Sequence, residues 1–499
     1  MISEEVRVRF APSPTGYVHV GSLRTALFNY LFAKKHNGKL IIRIEDTDRT
    51  RFVEGSIENL VKVLSDLGID YDEGPMWGGD YGPYFQSERL DIYKKYCDEL
   101  VEKGFAYYAF ETPEELDEMR KMQQLEGRQT AYDRRARNLT PEEVRKNLKE
   151  GKPYVIRLKV PLNEEVKFDD IIKGTIKFET NQVDDQVLLK SDGFPTYHLA
   201  NVVDDHLMEI THIIRGEEWI TSVPKHILLY NAFGWEIPKM AHVPLLLNPD
   251  KSKLSKRQGD VAVEDYLRKG YLKEAFLNFI ALLGWHPAHS NIEGEKHEKK
   301  DDKESKANEE IMSMEELIKN FSLERVQIAG AVFDLNKLNW MNNEYIKSYD
   351  LDNLLEISMP YFAGTELDLN DKEKLKFILS TIRVYLEKLS DIPGQTRVLE
   401  KDNITIPSEF KEIVYNENSK KVFEALIAKL QGINEITPDW FKNTLNEVGK
   451  ETEVKGKNLF KPVRIALTGE EHGPELPNIA TIYGKDKLIQ FLQSASNPS

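Results

Sequence analysis

Residues 6–35 constrain the fold of this chain more than any other segment, because they join three local signals in a fixed order. Residues 6–10 alternate apolar and charged side chains, which predicts a short β-strand. The next residues form a turn that Pro12 and Pro14 stiffen and from which they remove two backbone donors. From residue 23 to 35, apolar side chains recur at helical spacing. A strand, a stiff turn and a helix in this order predict the opening of an α/β fold with a nucleotide site, although the Gly-rich spacing of a Walker motif is missing.

The start of the predicted helix suits an anionic ligand. His19 and Gly21 lie there, where free backbone N–H groups and the helix dipole favour phosphate. Gly16 and Gly21 also allow the backbone to pass close to a ligand. A histidine near a helix start is, taken alone, more often structural. The prediction of a phosphate site therefore depends on the whole segment 9–22.

Composition predicts a soluble protein of several domains. With 499 residues the chain has room for about two to four domains. Residues 1–5 do not resemble a signal peptide, and the longest apolar run, near residues 276–285, is too short to cross a bilayer. Cys97 is the only cysteine, which excludes an internal disulfide and a multi-cysteine zinc cluster. We therefore expect a cytoplasmic protein without membrane contacts.

The formal net charge of −15 argues weakly against a nucleic-acid partner. Net charge is a global sum, whereas binding uses local patches. Basic clusters occur at residues 128–137 and 251–257. Each of them is equally compatible with an RNA contact and with a solvated face, so a nucleic-acid partner stays open at this point.

A second buried strand is predicted at residues 40–44, and three acidic residues follow it closely. Ligands of open α/β sheets bind at the carboxyl ends of the strands. Glu45 is therefore placed to meet a substrate ammonium group. Asp46 and Asp48 fit two roles equally well, since they could cap the next helix or face RNA.

Further along the chain, two segments carry polar groups suited to an amino-acid substrate. Tyr197 and Asn201 are four residues apart, which puts them on one face of a helix. Arg215 ends a predicted strand at residues 210–215. A guanidinium group reads a carboxylate through two parallel hydrogen bonds and keeps its charge. A lone tyrosine or arginine would more often be structural.

Two separate motifs give the chain a family resemblance. Residues 9–22 resemble the first signature of the glutamyl-tRNA synthetases, which are class I aminoacyl-tRNA synthetases, with residues 19–22 in place of the His-Ile-Gly-His tetrad. Residues 253–257 resemble the Lys-Met-Ser-Lys-Ser loop of the same class and follow in the same order. Residues 193–205 and 210–219 also match family blocks. The resemblance covers nearly the whole chain and is densest before residue 345.

The resemblance implies an α/β Rossmann-like class I catalytic core, an α+β insertion that binds the tRNA acceptor end, and an all-α C-terminal half that binds the anticodon. The expected segments are 1–108 and 189–260 for the two halves of the core, 109–188 for the insertion, 261–340 for a stem-contact region and 341–499 for the helical region. Residues 288–310, almost all charged or small, are expected to form a flexible surface insertion.

The resemblance also implies roles for individual residues. His19, Lys253 and Lys256 are the expected catalytic residues. ATP is expected to contact His19, Gly21, Ser22, Glu218, Leu246, Lys253, Ser255 and Lys256. Glutamate is expected to contact Arg9, Ala11, Ser13, Glu45, Tyr197, Asn201 and Arg215, with Arg9 and Arg215 reading its side-chain carboxylate. The expected tRNA contacts are Asp48, Trp219 and Arg464.

The implied cosubstrate is ATP with Mg²⁺, and the implied partner is tRNA(Glu). Several bacterial relatives bind zinc in the insertion, but Ala109, Glu111 and Ala136 stand at the cysteine positions here, so we expect no zinc. Nothing in the sequence requires more than a monomer or an obligatory protein partner. Charging of tRNA(Gln), the need for tRNA during glutamate activation, and the role of residues 288–310 stay open.

The implied reaction forms glutamyl-adenylate and pyrophosphate from glutamate and ATP, and then transfers glutamate to the 3′ end of the tRNA. A truncated relative that modifies a tRNA base is disfavoured by the helical C-terminal half. A glutaminyl enzyme is disfavoured by residues 9–16 and by the two arginines of the pocket. A catalytically inactive tRNA-binding protein is disfavoured by His19, Lys253 and Lys256 together.

Overall fold

The chain folds into two units, and the second includes one short segment from within the sequence of the first. A computed structural model describes residues 5–48, 50–254, 262–288 and 310–497. The first unit comprises Met1–Leu267 and Phe276–Leu335, and the second comprises Arg268–Ala275 and Asn336–Ser499. Of the insertion predicted at residues 288–310, only the two end residues belong to the described part.

The first unit contains all of the strands that the structure describes. They are β1 (Arg7–Phe10), β2 (Lys39–Ile42), β3 (Ala106–Ala109), β4 (Val155–Leu158), β5 (Glu165–Asp170), β6 (Gly174–Glu179), β7 (Val187–Leu189), β8 (His212–Gly216), β9 (Lys239–Val243), β10 (Leu246–Leu247) and β11 (Ala331–Val332). Its α-helices are α1 (Val20–Lys35), α2 (Ser56–Asp66), α3 (Leu90–Glu102), α4 (Pro113–Leu125), α5 (Pro141–Lys149), α6 (Tyr197–Leu207), α7 (Val223–Phe233), α8 (Val263–Arg268), α9 (Lys273–Ala281), which begins in the short segment of the second unit, and α10 (Met314–Asn320).

The main sheet has six strands in the order β2-β1-β8-β9-β5-β6. Neighbouring strands from β2 to β5 run parallel, and β6 pairs antiparallel with β5 at the edge. Both faces of the central strands are buried, as in other parallel sheets, so β1 and β2 read as nearly continuous buried runs. The carboxyl ends of β1, β8 and β9 therefore meet at one edge of the sheet.

The predicted strand–turn–helix opening is present. The strand β1 leads through the proline-containing turn into α1, which returns the chain to β2 in parallel with β1. Most of α1 is buried, and Lys34 and Lys35 occupy its last turn, where positive charge complements the helix dipole. The turn thus lies at the ligand-binding edge of the sheet.

A second, antiparallel sheet joins β3, β4 and β7. The sequence assigned residues 109–188 to an insertion with strands of its own. In the structure, the hairpin β5–β6 from that segment extends the main sheet, while β3 and β7, from its two ends, pair with β4. Short apolar runs do not identify their pairing partners, because pairing is decided by contacts far apart in sequence.

Two of the positions at which the resemblance implied cysteine ligands belong to an apolar cluster. Ala109 and Ala136 are buried there together with Met119 and Tyr132. The Tyr132 hydroxyl donates to Oε1 of Glu111 at 2.9 Å. Within the described residues, no group of three or more histidine, cysteine or acidic side chains is arranged to hold a metal ion.

The second unit is helical in its described residues. Its α-helices are α11 (Leu335–Ser348), which begins at the unit boundary, α12 (Leu351–Phe362), α13 (Lys372–Ile382), α14 (Ile392–Thr396), α15 (Lys411–Val414), α16 (Glu417–Gln431), α17 (Pro438–Glu451), α18 (Lys457–Thr468) and α19 (Leu476–Ser496). The helix α19 packs against α16, α17 and α18 over one apolar core. It is kinked at Gly484, whose φ of 74° is accessible to glycine without strain. No helix in the described ranges has both the length and the hydrophobicity needed to cross a membrane.

Candidate active site

A cavity of about 410 Å³ lies at the carboxyl edge of the main sheet, where β1, β8 and β9 end beside the start of α1. Fourteen of the residues that the sequence singled out line this cavity. They are Arg9, Ala11, Ser13, His19, Gly21, Ser22, Glu45, Tyr197, Asn201, Arg215, Glu218, Trp219, Leu246 and Lys253. These side chains span 245 positions of the sequence, from 9 to 253, so the fold brings together residues that no local pattern connects.

The other candidates are not among the described residues that line the cavity. Ser255 and Lys256 are outside the described residues. Asp48 is half-buried, and its carboxylate accepts hydrogen bonds from Thr50 Oγ1 at 2.6 Å and from Arg51 Nε at 2.7 Å. Arg464 belongs to the second unit, in α18, where its Nη1 donates to the carbonyl oxygen of Pro474 at 2.9 Å.

Asp46 contacts Ser87, which lies in the short 3-10 turn before α3. Its two carboxylate oxygens accept from the backbone N–H and the hydroxyl of Ser87, at 2.8 and 2.6 Å. The predicted role as a cap of the next helix is wrong, because α2 begins after Gly55 without a side-chain cap. The alternative role as an RNA contact stays a prediction.

His19 caps the first helix. Its Nδ1 accepts a hydrogen bond from the backbone N–H of Gly21 at 2.9 Å. A neutral imidazole that accepts at Nδ1 carries its proton at Nε2. A Cβ atom on Gly21 would lie 3.2 Å from Nδ1 of His19, so glycine leaves room for this ring. The histidine is thus oriented by the helix that it caps.

Lys253 approaches the cavity from a tight hairpin that follows β9. The backbone N–H of Leu254 donates to the carbonyl oxygen of Leu246 at 2.9 Å. On the far side of residues 255–261, the N–H of Val263 donates to the carbonyl oxygen of Val18 at 3.0 Å. The residues that flank 255–261 on both sides are therefore hydrogen-bonded to segments next to the cavity, one at Leu246 and one beside His19.

Arg215 is held by three side chains from different elements. Its Nη1 donates to the Tyr197 hydroxyl at 2.7 Å, and its Nε donates to Nε2 of His242 at 3.1 Å. Its Nη2 lies 3.4 Å from Nδ1 of His226. The ring of Trp219 packs on that of Tyr197, with 4.3 Å between their centroids. Since each terminal nitrogen uses one proton, a second proton on each is available to a carboxylate in the cavity.

Arg9 is engaged differently, although it lines the same cavity. Its Nε and Nη2 donate to the two carboxylate oxygens of Asp205, at 3.0 and 3.3 Å. Burial by itself would raise the pKa of Asp205, but Arg9 and Arg43 outweigh it and lower the pKa below the usual range. Asp205 is therefore ionised and neutralises part of the positive charge on Arg9.

Charge balance distinguishes the two arginines. Within the described part of the chain, all three hydrogen-bond partners of Arg215 are neutral, whereas Arg9 faces a carboxylate. Burial lowers the pKa of both His226 and His242, which keeps the two rings uncharged at neutral pH. Arg215, itself buried, thus presents an uncompensated positive charge to the cavity, which favours an anionic ligand.

Two further polar groups face the same place. Both side-chain polar atoms of Asn201 are buried without a hydrogen-bond partner among the described residues. Such orphaned atoms are costly in a folded protein, and a polar ligand would satisfy them. Burial raises the pKa of Glu45, opposed by Arg43 and Arg9, and Nη2 of Arg43 lies 3.2 Å from its Oε1. Cation, anion and amide groups together fit a zwitterionic amino acid with a further carboxylate.

The basic cluster at residues 128–137 is not a free positive patch. Arg128 pairs with Glu126 and Arg135 with Asp133. Arg134 and Arg137 both pair with the buried Asp185. The interpretation of this segment as an RNA contact therefore receives no support from its local charge.

Sequence reasoning missed four residues that hold the cavity together, namely Asp205, His226, His242 and Arg43. A signal existed for Asp205, because it follows Tyr197 and Asn201 at the same four-residue spacing on α6. His242 and Arg43 lie in or beside apolar strands; Arg43 binds Asp205, 162 residues away in sequence, and His242 binds Asp170, 72 residues away. No local pattern identifies such pairs.

Two family models match this chain, one over each unit's main part. Residues 5–340 match the family model described as tRNA synthetases class I (E and Q), catalytic domain, and residues 353–495 match that of an anticodon binding domain. Glutamate–tRNA ligases of Alkaliphilus metalliredigens and Clostridioides difficile are 48% and 46% identical to the chain, with coverage of 98% and 99% of both sequences in each pair.

Among solved structures, a glutamate tRNA ligase from Elizabethkingia meningosepticum in complex with its amino acid superposes with a TM-score of 0.89 at 37% identity, over 99% of both chains. The glutamate–tRNA synthetase of Elizabethkingia anophelis superposes with a TM-score of 0.87. With both family models, near-complete coverage and the same fold, the chain belongs to the glutamate–tRNA ligases, a family of class I aminoacyl-tRNA synthetases.

Proposed function

We propose that this cavity activates L-glutamate with ATP and transfers it to the 3′ end of tRNA(Glu). The observation that carries the proposal is the charge pattern around Arg215, whose neutral partners leave its guanidinium charge for a substrate carboxylate. Asn201, with its two unpartnered polar atoms, and the carboxylate of Glu45 supply the complementary amide and anionic groups.

In the proposed complex, Arg215 binds the γ-carboxylate of glutamate through its two available N–H groups. Tyr197, whose oxygen accepts from Arg215, donates its own proton to the same carboxylate. Arg9 contributes through the nitrogen that Asp205 leaves open, Glu45 pairs with the α-ammonium group, and Ala11 and Ser13 line this part of the cavity. Glutamine, which is uncharged, would leave Arg215 without a counter-charge and is rejected on that ground.

The first chemical step needs no general base, because the α-carboxylate of glutamate is already ionised. A carboxylate oxygen attacks the α-phosphorus of ATP, the bond from that phosphorus to the bridging oxygen breaks, and pyrophosphate leaves. His19 through its Nε2 proton, together with Lys253 and Lys256, stabilises the charge that develops on the phosphates. Removing one such charged donor is expected to cost about 3 kcal/mol, roughly a hundredfold in rate.

ATP enters as its Mg²⁺ complex. The described residues offer no cluster of acidic or histidine side chains that could hold the ion alone. The ion is therefore bound mainly through phosphate oxygens and water, as is common for Mg²⁺. Gly21, Ser22, Glu218 and Leu246 line the side of the cavity that receives the nucleotide.

In the second step, the 3′-terminal hydroxyl of the tRNA attacks the activated carbonyl, and AMP leaves. Trp219, at 37% exposure beside Tyr197, contacts the incoming acceptor end. Asp48 contacts it near the cavity mouth, where its partner Arg51 lies. We assign residues 109–188 to acceptor-end binding, 261–340 to stem contact, and 341–499, which include Arg464, to anticodon reading.

The first test is glutamate-dependent exchange of pyrophosphate into ATP, with and without unfractionated tRNA, for the unaltered protein and for Lys256→Ala. Exchange that collapses about a hundredfold in the variant supports the proposed role of the loop. The matched control is Lys251→Ala, an exposed lysine nearby in the chain, for which no loss is expected. Absence of exchange under both conditions, from a protein that still binds tRNA, would overturn the proposed function.

A further inference from the structure

Arg215 is held by neutral side chains among the described residues, and the role assigned to one of them here rests on the proposed function of Arg215 as the reader of the substrate carboxylate. Arg215 is the penultimate residue of β8 and is 5% exposed. A buried arginine is usually oriented by a carboxylate, which also neutralises it. Here Nε of Arg215 donates to the imidazole of His242, on the adjacent strand β9. The other ring nitrogen of His242 contacts a carboxylate, which therefore does not touch Arg215 itself.

That carboxylate is Asp170, the last residue of β5. Its Oδ2 lies 2.6 Å from Nδ1 of His242, and both side chains are fully buried. Asp170 also accepts from the backbone N–H groups of Ile172, Lys173 and His242, at 3.0, 2.9 and 3.1 Å. With donors on every side, Asp170 can act only as an acceptor, so it is ionised and fixed in place.

The proton positions follow from these contacts. Arginine always donates, so Nε2 of His242 carries the lone pair that faces Arg215. The ring proton is then on Nδ1 and points to Asp170. The carboxylate thus selects one tautomer of His242, and that tautomer is the one that can accept from Arg215.

The order of these groups has an electrostatic consequence. A carboxylate in direct contact with Arg215 would cancel the charge that the substrate has to meet. A neutral imidazole orients the guanidinium group and leaves its charge intact. Asp205 does the opposite for Arg9, because it contacts that arginine directly at 3.0 Å. One cavity therefore contains one partly neutralised and one uncompensated arginine.

We propose that His242, oriented by Asp170, is a positioning residue that holds Arg215 for the substrate carboxylate without neutralising it. Glutamate recognition then depends on the hairpin β5–β6, which supplies Asp170 from a segment that touches no substrate.

The test compares His242→Gln with His242→Leu in tRNA charging at saturating ATP and tRNA. Glutamine keeps an acceptor oxygen near the position of Nε2, whereas leucine removes it at similar volume. We expect the KM for glutamate to rise about tenfold in His242→Leu, the factor that corresponds to about 1.4 kcal/mol from a lost hydrogen bond to a charged group. We expect His242→Gln to stay close to the unaltered protein, and the KM for ATP to stay constant in both.

Asp170→Asn and Asp169→Asn form a second matched pair on the same strand. Asparagine at 170 can turn its amide N–H toward Nδ1 and so favour the wrong tautomer, which should raise the KM for glutamate. Asp169 bonds to the hydroxyl of Thr175 at the surface, and its variant should behave as the unaltered protein does. Equal KM values for glutamate in the leucine and glutamine variants, or in the two asparagine variants, would overturn the proposal.

A spectroscopic measurement keeps the proposal testable even if the leucine or the asparagine variants do not fold. In the unaltered protein labelled with ¹⁵N-histidine, the signals of His242, assigned through His242→Gln, should report the Nδ1–H tautomer. The Nε2–H tautomer would overturn the proposal. Failure of the proposed function itself gives a different result, since the unaltered protein would then not charge tRNA with glutamate at all.

Discussion

Oδ1 of Asp205 lies 2.7 Å from Nη1 of Arg43, and the same oxygen accepts from Nε of Arg9. One buried carboxylate of α6 thus joins the end of β1 to the residue that follows β2. Arg43 continues the network to Glu45 and lies 3.7 Å from Asp204. Two members of this network, Arg9 and Glu45, line the cavity. Because all of these charges are buried, the charge balance of the network depends on every member.

We expect Asp205→Asn to destabilise the first unit strongly. The substitution leaves Arg9 and Arg43 buried with one carboxylate fewer, and breaking a buried pair in this way typically costs about 3–5 kcal/mol. The measurement is the free energy of unfolding from urea denaturation. The control is Asp66→Asn, which removes an exposed pair with Lys62 and should cost less than about 1 kcal/mol. Equal losses in the two variants would contradict the importance of the network.

We expect Arg215→Lys to impair glutamate use although it keeps the charge. Lysine cannot contact a carboxylate through two parallel N–H groups and cannot reach His242, Tyr197 and His226 together. Losing a hydrogen bond to a charged group costs about 1.5–3 kcal/mol of binding free energy, which predicts a fall in kcat/KM for glutamate of about ten- to a hundredfold. Arg157→Lys, a buried arginine stacked on Tyr132 in the small sheet, serves as the control and should not change the KM for glutamate.

We expect the binding of the substrate glutamate to weaken at low pH as Glu45 becomes protonated. This acid limb of the pH profile should lie at higher pH than for an ordinary glutamate side chain. Burial raises the pKa of Glu45, and only the ionised form pairs with an ammonium group. The KM for glutamate should therefore rise as the pH falls through this raised pKa.

In Glu45→Gln, this limb should disappear, and the KM at neutral pH should be about tenfold higher. The titration of the substrate is common to both proteins, so the difference between the two profiles isolates Glu45. Glu58→Gln, on the exposed side of α2, should keep the profile of the unaltered protein. An unchanged acid limb in Glu45→Gln would assign it to another group.

We expect two substitutions of His19 to separate its capping role from its catalytic role. Asparagine can still accept from the N–H of Gly21 but lacks the Nε2 donor, so His19→Asn should slow pyrophosphate exchange about a hundredfold with little change in stability. His19→Ala also loses the cap, which should lower the free energy of unfolding by a further amount of about 1 kcal/mol. Equal stability of the two variants would contradict the capping role.

Several predictions from the sequence are confirmed. The resemblance, the fold class and the ligase function are borne out by both family models, by curated relatives and by solved structures. The motif around His19 was recognisable because its function depends on local backbone geometry, in which the proline turn, the glycine and the helix start are neighbours in sequence. The individual substrate contacts, the absence of zinc and the domain boundaries stay predictions.

The sequence by itself determined the helix-forming and strand-forming segments and the residue types of the site, because periodicity and short-range motifs depend on near neighbours. Tertiary structure alone decided which strands pair, so that β5–β6 joined the main sheet and brought Asp170 behind His242. It also decided which arginine of the cavity is partly neutralised, Arg9 beside Asp205, and which keeps its full charge, Arg215 beside His242. Those outcomes depend on contacts between residues up to about 200 positions apart, whose energies are set by burial and distance, and neither quantity is visible in a linear sequence.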